Sequence, residues 1–189
     1  MTPMSTSRLW AAGVVLAVVA GATGCVHPPP APLPDPIITC QSLGGPITYD
    51  PPADNTGSDV TITVEPGAAL EDCTDNTGHL ITGASISGTL LLPDFTCAVA
   101  PDGAEIGGGS GSFSWSNGSS SAFSAVLRSP GTANQFVLEV QITSGLWTGS
   151  TAAVLVGVVS SDGNCVAVPV TEAVLAALEP FVLRPAGAT

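Results

Sequence analysis

The chain contains no lysine, and its bases are three arginines set against 15 acidic residues. One of them, Arg8, precedes a hydrophobic run near the amino terminus. A chain processed after that run keeps Arg128 and Arg184 and carries a formal charge near −13, from two bases and 15 acids. Nucleic acids and anionic lipid headgroups are bound through clusters of cationic side chains. Two scattered arginines cannot form such a cluster, which excludes nucleic acid as a partner and excludes electrostatic attachment to a membrane surface.

Charged residues of either sign are also scarce, at 10%, while 44% of the residues are hydrophobic. This composition excludes a disordered acidic tail, which requires high charge and low hydrophobicity. Gly, Ser, Thr, Ala and Val are abundant, and leucine-rich helical periodicity is rare. The length of 189 residues suits one domain with a targeting segment, and such a domain can bury a single hydrophobic core.

Residues 1–24 have the pattern of a signal peptide. A short polar start ends in Arg8, and the apolar run 9–21 is shorter than the roughly 20 residues that span a bilayer. Ala22-Thr23-Gly24-Cys25 resembles a bacterial lipobox, which predicts a lipid on Cys25 and a chain held at the outer face of the cell membrane. Ala20-Gly21-Ala22 fits ordinary cleavage instead, which predicts a secreted protein. An uncleaved anchor is the third alternative.

Cysteine parity favours the lipid. The chain has five cysteines, and an odd thiol in an oxidising compartment needs an explanation. A lipid on Cys25 leaves an even set for two disulfides, namely Cys40, Cys73, Cys97 and Cys165. Residues 25–38 are predicted to form a tether that begins at the lipidation site. Six of the eleven residues 26–36 are proline, which favours an extended, semi-rigid chain. Membrane contact would then occur through the lipid anchor only.

Residues 39–189 predict a single all-β domain. Hydrophobic residues alternate with polar ones over 60–65, 113–115, 123–127 and 136–143, as in strands with one face in a core. Turn sequences lie between these runs, the clearest being Ser116-Asn117-Gly118, because Asn-Gly tolerates the positive φ of tight turns. About eight short strands at this spacing predict an antiparallel β-sandwich or a partly open barrel with two disulfides.

Two segments are ambiguous. Residues 151–159 are apolar without alternation, which indicates a central strand covered on both faces or, alternatively, a strand that meets a partner. Residues 170–179 contain helix-favouring Ala, Leu and Glu among strand-favouring neighbours, and we favour a closing strand. Four cysteines allow three pairings. Strands that run consecutively up and down favour Cys40–Cys73 at one end of the sheet and Cys97–Cys165 at the other.

Several segments together resemble uncharacterised secreted and lipoprotein β-domain proteins of high-GC Gram-positive bacteria. The resemblance rests on GPITYDPP after Cys40, VTITV before Cys73, and the segments GSFSWSNG and TSGLWTG further along. It covers roughly residues 40–160. It implies an all-β fold and export, and it implies no activity.

Residues for catalysis are few. Catalysis needs a nucleophile, a base and an orienting group within reach of one another. The chain has two histidines: His27 lies in the proline-rich tether, and His79 follows a group of acids. Gly109-Ser110-Gly111-Ser112 lacks the strand–turn–helix context of a nucleophile elbow, and we interpret it as a flexible connector. We therefore expect a protein that is not an enzyme and needs no cofactor.

Two Asp-Asn-Thr-Gly segments, at 54–57 and 75–78, are candidates for binding calcium. Calcium requires six to eight oxygen ligands, and Asp54 and Asp59 near the first segment and Asp72 and Asp75 near the second supply carboxylates. The same segments are ordinary turn sequences. Zinc is disfavoured, because the cysteines are used in disulfides and His79 stands alone.

Trp147 is the candidate ligand-binding residue. It lies in a turn, where an exposed indole could stack on a sugar ring, or where it covers the end of the sandwich. Tyr49, Phe113, Trp115 and Phe123 occupy core-facing positions instead. The first hypothesis is a non-catalytic envelope protein that has a structural role or binds a protein or glycan partner. The alternative is a carbohydrate- or small-ligand-binding module, since fold alone does not rank these functions.

Overall fold

A computed structural model describes residues 34–187. The described chain forms ten strands and no helix, so the predicted all-β class is confirmed. The strands, in chain order, are β1 (Ile38–Ala53), β2 (Ser58–Val64), β3 (Ala69–Asp75), β4 (Ala84–Phe95), β5 (Glu105–Trp115), β6 (Ser120–Arg128), β7 (Gln135–Gly145), β8 (Thr151–Ser161), β9 (Val170–Ala177) and β10 (Phe181–Leu183). The signal peptide, Cys25 and His27 lie outside the described residues.

The strands form one antiparallel sheet that closes on itself. The order around the sheet is β1, β2, β4, β5, β6, β7, β8 and β9, and β9 returns to pair with β1. The result is an eight-stranded barrel with two additional strands. Closure removes the exposed sheet edges that a sandwich would have to protect.

The two additional strands extend the barrel at one end. There, β1 pairs with β3 and β10 in place of β2 and β9. β3 also pairs with β4, and a bridge between Thr151 and Arg184 links the segment after β10 to β8. These pairings form a second closed ring of strands, which extends the barrel at this end. We call this the capped end, formed by β3, β10 and the connections 76–83, 116–119 and 146–150; the opposite, loop end consists of the connections 54–57, 96–104, 129–134 and 162–169.

β1 changes partners at Gly45, which has a positive φ of 149°. A Cβ atom there would overlap the backbone of Ala68, in the connection between β2 and β3. Gly109 in β5 is similarly close to β4, since its Cβ would overlap the carbonyl oxygen of Thr89. The interpretation of residues 109–112 as a flexible connector is therefore wrong. They lie within β5, where the two glycines, Gly109 and Gly111, let β4 and β5 approach closely.

Both predicted disulfide pairings are confirmed. Cys40 and Cys73 lie directly opposite each other on β1 and β3. Cys97 and Cys165 join the connection after β4 to the connection after β8. One disulfide thus lies at each end of the barrel, and two disulfides are compatible with an extracytoplasmic location.

Alternating side chains fill the barrel, as their pattern predicts. Val60, Phe113, Phe123, Val140 and Ile142 are buried, while their neighbours along each strand point outward. Residues 170–177 form strand β9, as we favoured. Residues 151–159 are not covered on both faces, so that interpretation is wrong: Ala152, Val154 and Val156 are buried, but Ala153 and Val159 are exposed.

Aromatic rings concentrate near the capped end. The ring centroid of Phe113 lies 4.6 Å from that of Phe123, 5.1 Å from that of Trp115 and 5.9 Å from that of Phe181. The Trp115 indole N–H donates to the buried Ser121 hydroxyl at 2.9 Å, and that hydroxyl donates onward to the Leu146 carbonyl at 2.6 Å. The polar atoms that accompany this cluster are therefore satisfied.

The last residues of the predicted tether lie against the capped end. The Pro34 carbonyl accepts a hydrogen bond from the Arg184 guanidinium at 2.7 Å, and the Pro36 carbonyl accepts one from the Asn76 side chain at 2.9 Å. The chain thus reaches the barrel at its capped end. Within residues 34–187, no helix has the length and apolar character needed to cross a membrane.

Candidate functional site

The two calcium candidates lie at opposite ends of the barrel and form turns. The Asp54 carboxylate accepts hydrogen bonds from the Thr56 hydroxyl at 2.6 Å and the Thr56 amide at 2.9 Å. These two bonds lower the pKa of Asp54. Asp59 accepts from the backbone N–H of Asp94 at 3.0 Å. The carboxylates near this segment therefore serve as acceptors for local N–H and O–H groups.

The second segment repeats this arrangement at the capped end. Asp75 accepts from the Thr77 amide at 2.7 Å and the Thr77 hydroxyl at 2.6 Å. Burial works to raise the pKa of Asp75, but the hydrogen bonds from Thr77 and from nearby backbone N–H groups outweigh it and lower that pKa. Asp72 lies on β3 with a positive φ of 50°. Across the described residues, no group of three or more His, Cys, Asp or Glu side chains is placed to hold a metal ion.

Trp147 lies half-buried across the capped end. Its ring packs edge-on against two others. The centroid distance is 5.0 Å to the Trp115 ring and 6.0 Å to the His79 ring. The indole N–H is buried and has no hydrogen-bond partner among the described residues. His79 is exposed, and its own carbonyl accepts from the Asn117 side chain at 3.2 Å. Packing on Trp115 is thus the main contact of Trp147, and no catalytic partner accompanies His79 within this cluster.

The barrel interior contains a cavity of about 80 Å³ whose surface exposes no nitrogen or oxygen atom. Its wall combines aliphatic and aromatic side chains from all eight strands of the barrel. They include Ile47, Tyr49, Ile62, Val64, Ile86, Leu90, Leu92, Phe123, Ala125, Leu127, Phe136, Leu138, Val140, Val156 and Leu175. Gly44, Gly45 and Gly88 also line the cavity, and a Cβ atom at any of them would overlap the backbone of a neighbouring segment.

Tyr49 contributes its ring, and not its hydroxyl, to the surface of this cavity. Burial raises its pKa to about 12, because the apolar surroundings disfavour the charged tyrosinate. Tyr49 is also the single tyrosine of the chain, so its ionisation reports on the cavity wall alone.

A second concavity, of about 300 Å³, lies at the loop end beside the Cys97–Cys165 disulfide. We call it the loop-end groove. It is lined by residues 93–100, Glu105, Ile106, Ser129, residues 132–136 and residues 164–166. Unlike the cavity, it combines apolar side chains such as Phe95 and Ile106 with carboxylates and amides. Phe136, the second residue of β7, lines both the groove and the interior cavity.

The arginines do not line the groove. Arg128 lies against two carboxylates, 3.1 Å from Glu139 and 3.7 Å from Glu105. Arg184 binds the Pro34 carbonyl at the capped end. Since Glu105 shares Arg128 with Glu139, these three side chains together keep a net negative charge, and Asp94 adds a second carboxylate to the wall of the groove.

Valines extend the apolar surface around this end. Val166 is 78% exposed, and Val99 and Val168 are each 52% exposed. The loop that carries Val166 and Val168 is ordered by hydrogen bonds, because the Asn164 side chain accepts from the N–H groups of residues 166, 167 and 168. At the capped end the comparable exposed side chain is Leu80.

The cavity and the groove were not predicted from the sequence. The alternation over 136–143 places Phe136, Leu138 and Val140 on an inward face, but it does not indicate that space remains between that face and the opposite wall. Loop residues such as Asn134 and Asn164 carry no motif. Comparisons with protein-family models, with curated proteins and with solved structures find no match for this chain. The geometry of the described residues therefore carries the functional argument.

Proposed function

We propose that this chain is an exported, non-catalytic cell-envelope protein whose barrel binds a small apolar ligand in its interior. The observation that carries the proposal is the interior cavity without polar surface atoms. A cavity of about 80 Å³ exceeds the roughly 10–15 Å³ that one water needs, but a buried water also needs two to four polar partners. Since this wall offers none, an apolar group gains more than water does by entering.

The lipid anchor on Cys25 belongs to the same proposal. Cys40, Cys73, Cys97 and Cys165 are all used in disulfides, which leaves Cys25 as the odd cysteine. Twelve residues, 26–37, separate Cys25 from the first residue of β1, and in an extended proline-rich chain they reach roughly 37 Å at about 3.1 Å per residue. Of the tether, Pro34 and Pro36 lie in the described chain, and both contact the capped end.

Labelling with radioactive palmitate tests the anchor. Wild type should incorporate label, and a Cys25→Ala variant should not. Unlabelled wild-type protein that begins after Ala22 would replace the anchor with plain secretion and leave the ligand proposal standing.

Carbohydrate binding at Trp147 has less support. The ring packs against Trp115, and the indole N–H that would bind a sugar hydroxyl is buried. Tryptophan fluorescence that changes on addition of soluble glycans, and remains constant in a Trp147→Phe variant, would favour the glycan alternative over the interior ligand.

Methyl NMR of the exported protein tests the interior site. Xenon is a suitable probe, because it enters apolar cavities, is small enough for about 80 Å³ and offers no polar group. We expect saturable shifts of the Leu138 and Val156 methyl resonances, which line the cavity on the neighbouring strands β7 and β8. Ala125→Leu should abolish these shifts, since the added side chain occupies the cavity. The matched control is Ala153→Leu on the exposed face of β8, where the shifts should persist.

If the cavity methyl resonances do not shift even at saturating probe concentrations, the interior ligand is refuted. If Ala125→Leu fails to fold because the core is overpacked, Val140→Leu adds one methylene to the same wall and takes its place. Unchanged probe binding in a folded cavity-filling variant would equally refute the proposal.

A further inference from the structure

The interior cavity alone is too small for an ordinary ligand. Sites for small molecules usually measure roughly 300–1,000 Å³, and an engineered apolar cavity of about 150 Å³ holds benzene. The cavity of about 80 Å³ therefore accommodates only a short part of a larger molecule. The rest of that molecule must lie in an adjoining space.

The loop-end groove adjoins the cavity at Phe136, which lines both spaces. Its side chain is half-buried, at an inward position of β7 opposite Val156 on β8. Ile106 and Phe95 continue the apolar surface from Phe136 into the groove. The two spaces thus offer a path from the loop end to the barrel interior, with this aromatic ring between them.

The groove differs from the cavity in polarity and charge. Asp94 and Glu105 supply carboxylates, and Asn134, Gln135 and Asn164 supply amides. Arg128 lies between two carboxylates, Glu105 of the groove wall and Glu139, and Arg184 is bound to the Pro34 carbonyl at the capped end. One cation shared by two carboxylates leaves that group with a net negative charge, and Asp94 adds another carboxylate, so an anionic group in the groove would be unfavourable. A neutral hydroxyl or a cation would meet acceptors.

We propose that the ligand is a single-chain amphiphile, with a short apolar tail in the interior cavity, a neutral or cationic head in the loop-end groove, and Phe136 between the two. This inference rests on the proposed function, because it assigns a chemical class to the occupant of the same cavity. Since Phe136 lines both spaces, the tail enters the cavity past its ring. The head remains at the loop end of the barrel.

Three probes with six-carbon chains test the inference: hexanol, hexyltrimethylammonium and hexanoate, with xenon as the purely apolar reference. At neutral pH we expect hexanol and hexyltrimethylammonium to bind about ten-fold tighter than hexanoate, because only the last places a negative charge beside Asp94 and Glu105. Methyl NMR should show shifts at Leu138 in the cavity and at Ile106 in the groove for both favoured probes. For xenon the shifts should be confined to the cavity.

Charge-neutralising variants identify the source of the selectivity. Asp94→Asn combined with Glu105→Gln should reduce the preference over hexanoate to about two-fold or less, because it removes both lining carboxylates. The matched control is Glu71→Gln combined with Asp72→Asn on β3, which removes two exposed carboxylates at the capped end and should leave the ten-fold preference intact.

The outcomes separate this inference from the proposed function. Binding of xenon in the cavity together with equal affinity for the three amphiphiles would overturn the inference and leave the interior apolar site standing. Shifts at Ile106 without shifts at Leu138 would also overturn it, since the tail would not be in the cavity. Failure of xenon to bind would overturn both.

Discussion

The two ends of the barrel differ in how they are closed. At the capped end, β3 and β10 continue the circuit of strands, a disulfide joins residues in register, and Phe113, Trp115 and Phe181 pack together. At the loop end, long connections replace additional strands. A disulfide joins two of these connections beside a groove, and Val99 and Val166 are exposed.

This difference suggests that the capped end contributes most to stability and the loop end most to ligand binding. Buried side chains and paired backbone contribute most of the free energy of folding, and the capped end has both. Binding sites lie mainly on loops that a rigid scaffold positions, which describes the loop end. We therefore expect substitutions at the capped end to reduce the free energy of unfolding strongly, while comparable substitutions at the loop end change ligand binding more than stability.

The largest expected effect comes from removing a disulfide. Replacing Cys40 and Cys73 with alanine frees a loop of 33 residues, which costs about 4 kcal/mol in the chain-entropy model. Cys40 is 0% exposed, so a cavity in the core should raise that loss to roughly 5 kcal/mol. Urea denaturation followed by circular dichroism measures the change in the free energy of unfolding.

The matched variant replaces Cys97 and Cys165 with alanine. Its loop of 68 residues is longer, so chain entropy alone predicts the larger loss of the two, slightly above 4 kcal/mol. Both residues are only half-buried, and we expect the smaller loss here. A greater loss for this pair would break the comparison, since loop length and not the packed capped end would then govern stability.

Truncation of two phenylalanines should give a smaller effect with the same contrast. Phe181 is 0% exposed in β10 and contacts Phe113, so Phe181→Ala should cost about 3–5 kcal/mol. Phe136 already borders empty space, so Phe136→Ala should cost about 1–2 kcal/mol. Equal m-values in urea denaturation would show that both variants expose the same surface on unfolding, so that their losses of stability can be compared. Equal losses would contradict the proposed division between the ends.

The smallest effect concerns the cavity between the two ends. The pKa of Tyr49 is about 12 in the folded domain, against about 10 in an unfolded chain. Above the lower value the unfolded chain loses the tyrosine proton while the folded domain keeps it. Stability from this group is therefore complete below about pH 10 and is lost as the pH rises towards 12.

Spectrophotometric titration of tyrosinate checks the Tyr49 prediction, because the chain has one tyrosine. Tyr49→Phe should remove this contribution to the pH dependence of unfolding. A midpoint near 10 in protein that circular dichroism shows to be folded would mean that water reaches the Tyr49 hydroxyl, and would contradict an apolar wall at that position.

The sequence by itself determined the class of fold and most of the inward-facing residues. Alternation places Val60, Ile62 and Phe123 on the core side because successive side chains in a strand point to opposite faces, whatever lies beyond them. The odd number of cysteines and the expected order of antiparallel strands indicated the disulfide pairing, again without knowledge of how the sheet closes. Patterns failed at residues 151–159, where small apolar side chains on the outer face hid the alternation.

Only the tertiary structure decided how the sheet closes and where space remains inside it. The exchange of β2 and β9 for β3 and β10 along β1 depends on the close contact between Gly45 and Ala68, which are 23 positions apart. The segment Gly109–Ser112 lies in a strand, and its two glycines fit there because a neighbouring strand comes too close for a Cβ atom. A cavity is the difference between the volume that eight strands enclose and the volume that their side chains fill, and no local pattern records that difference.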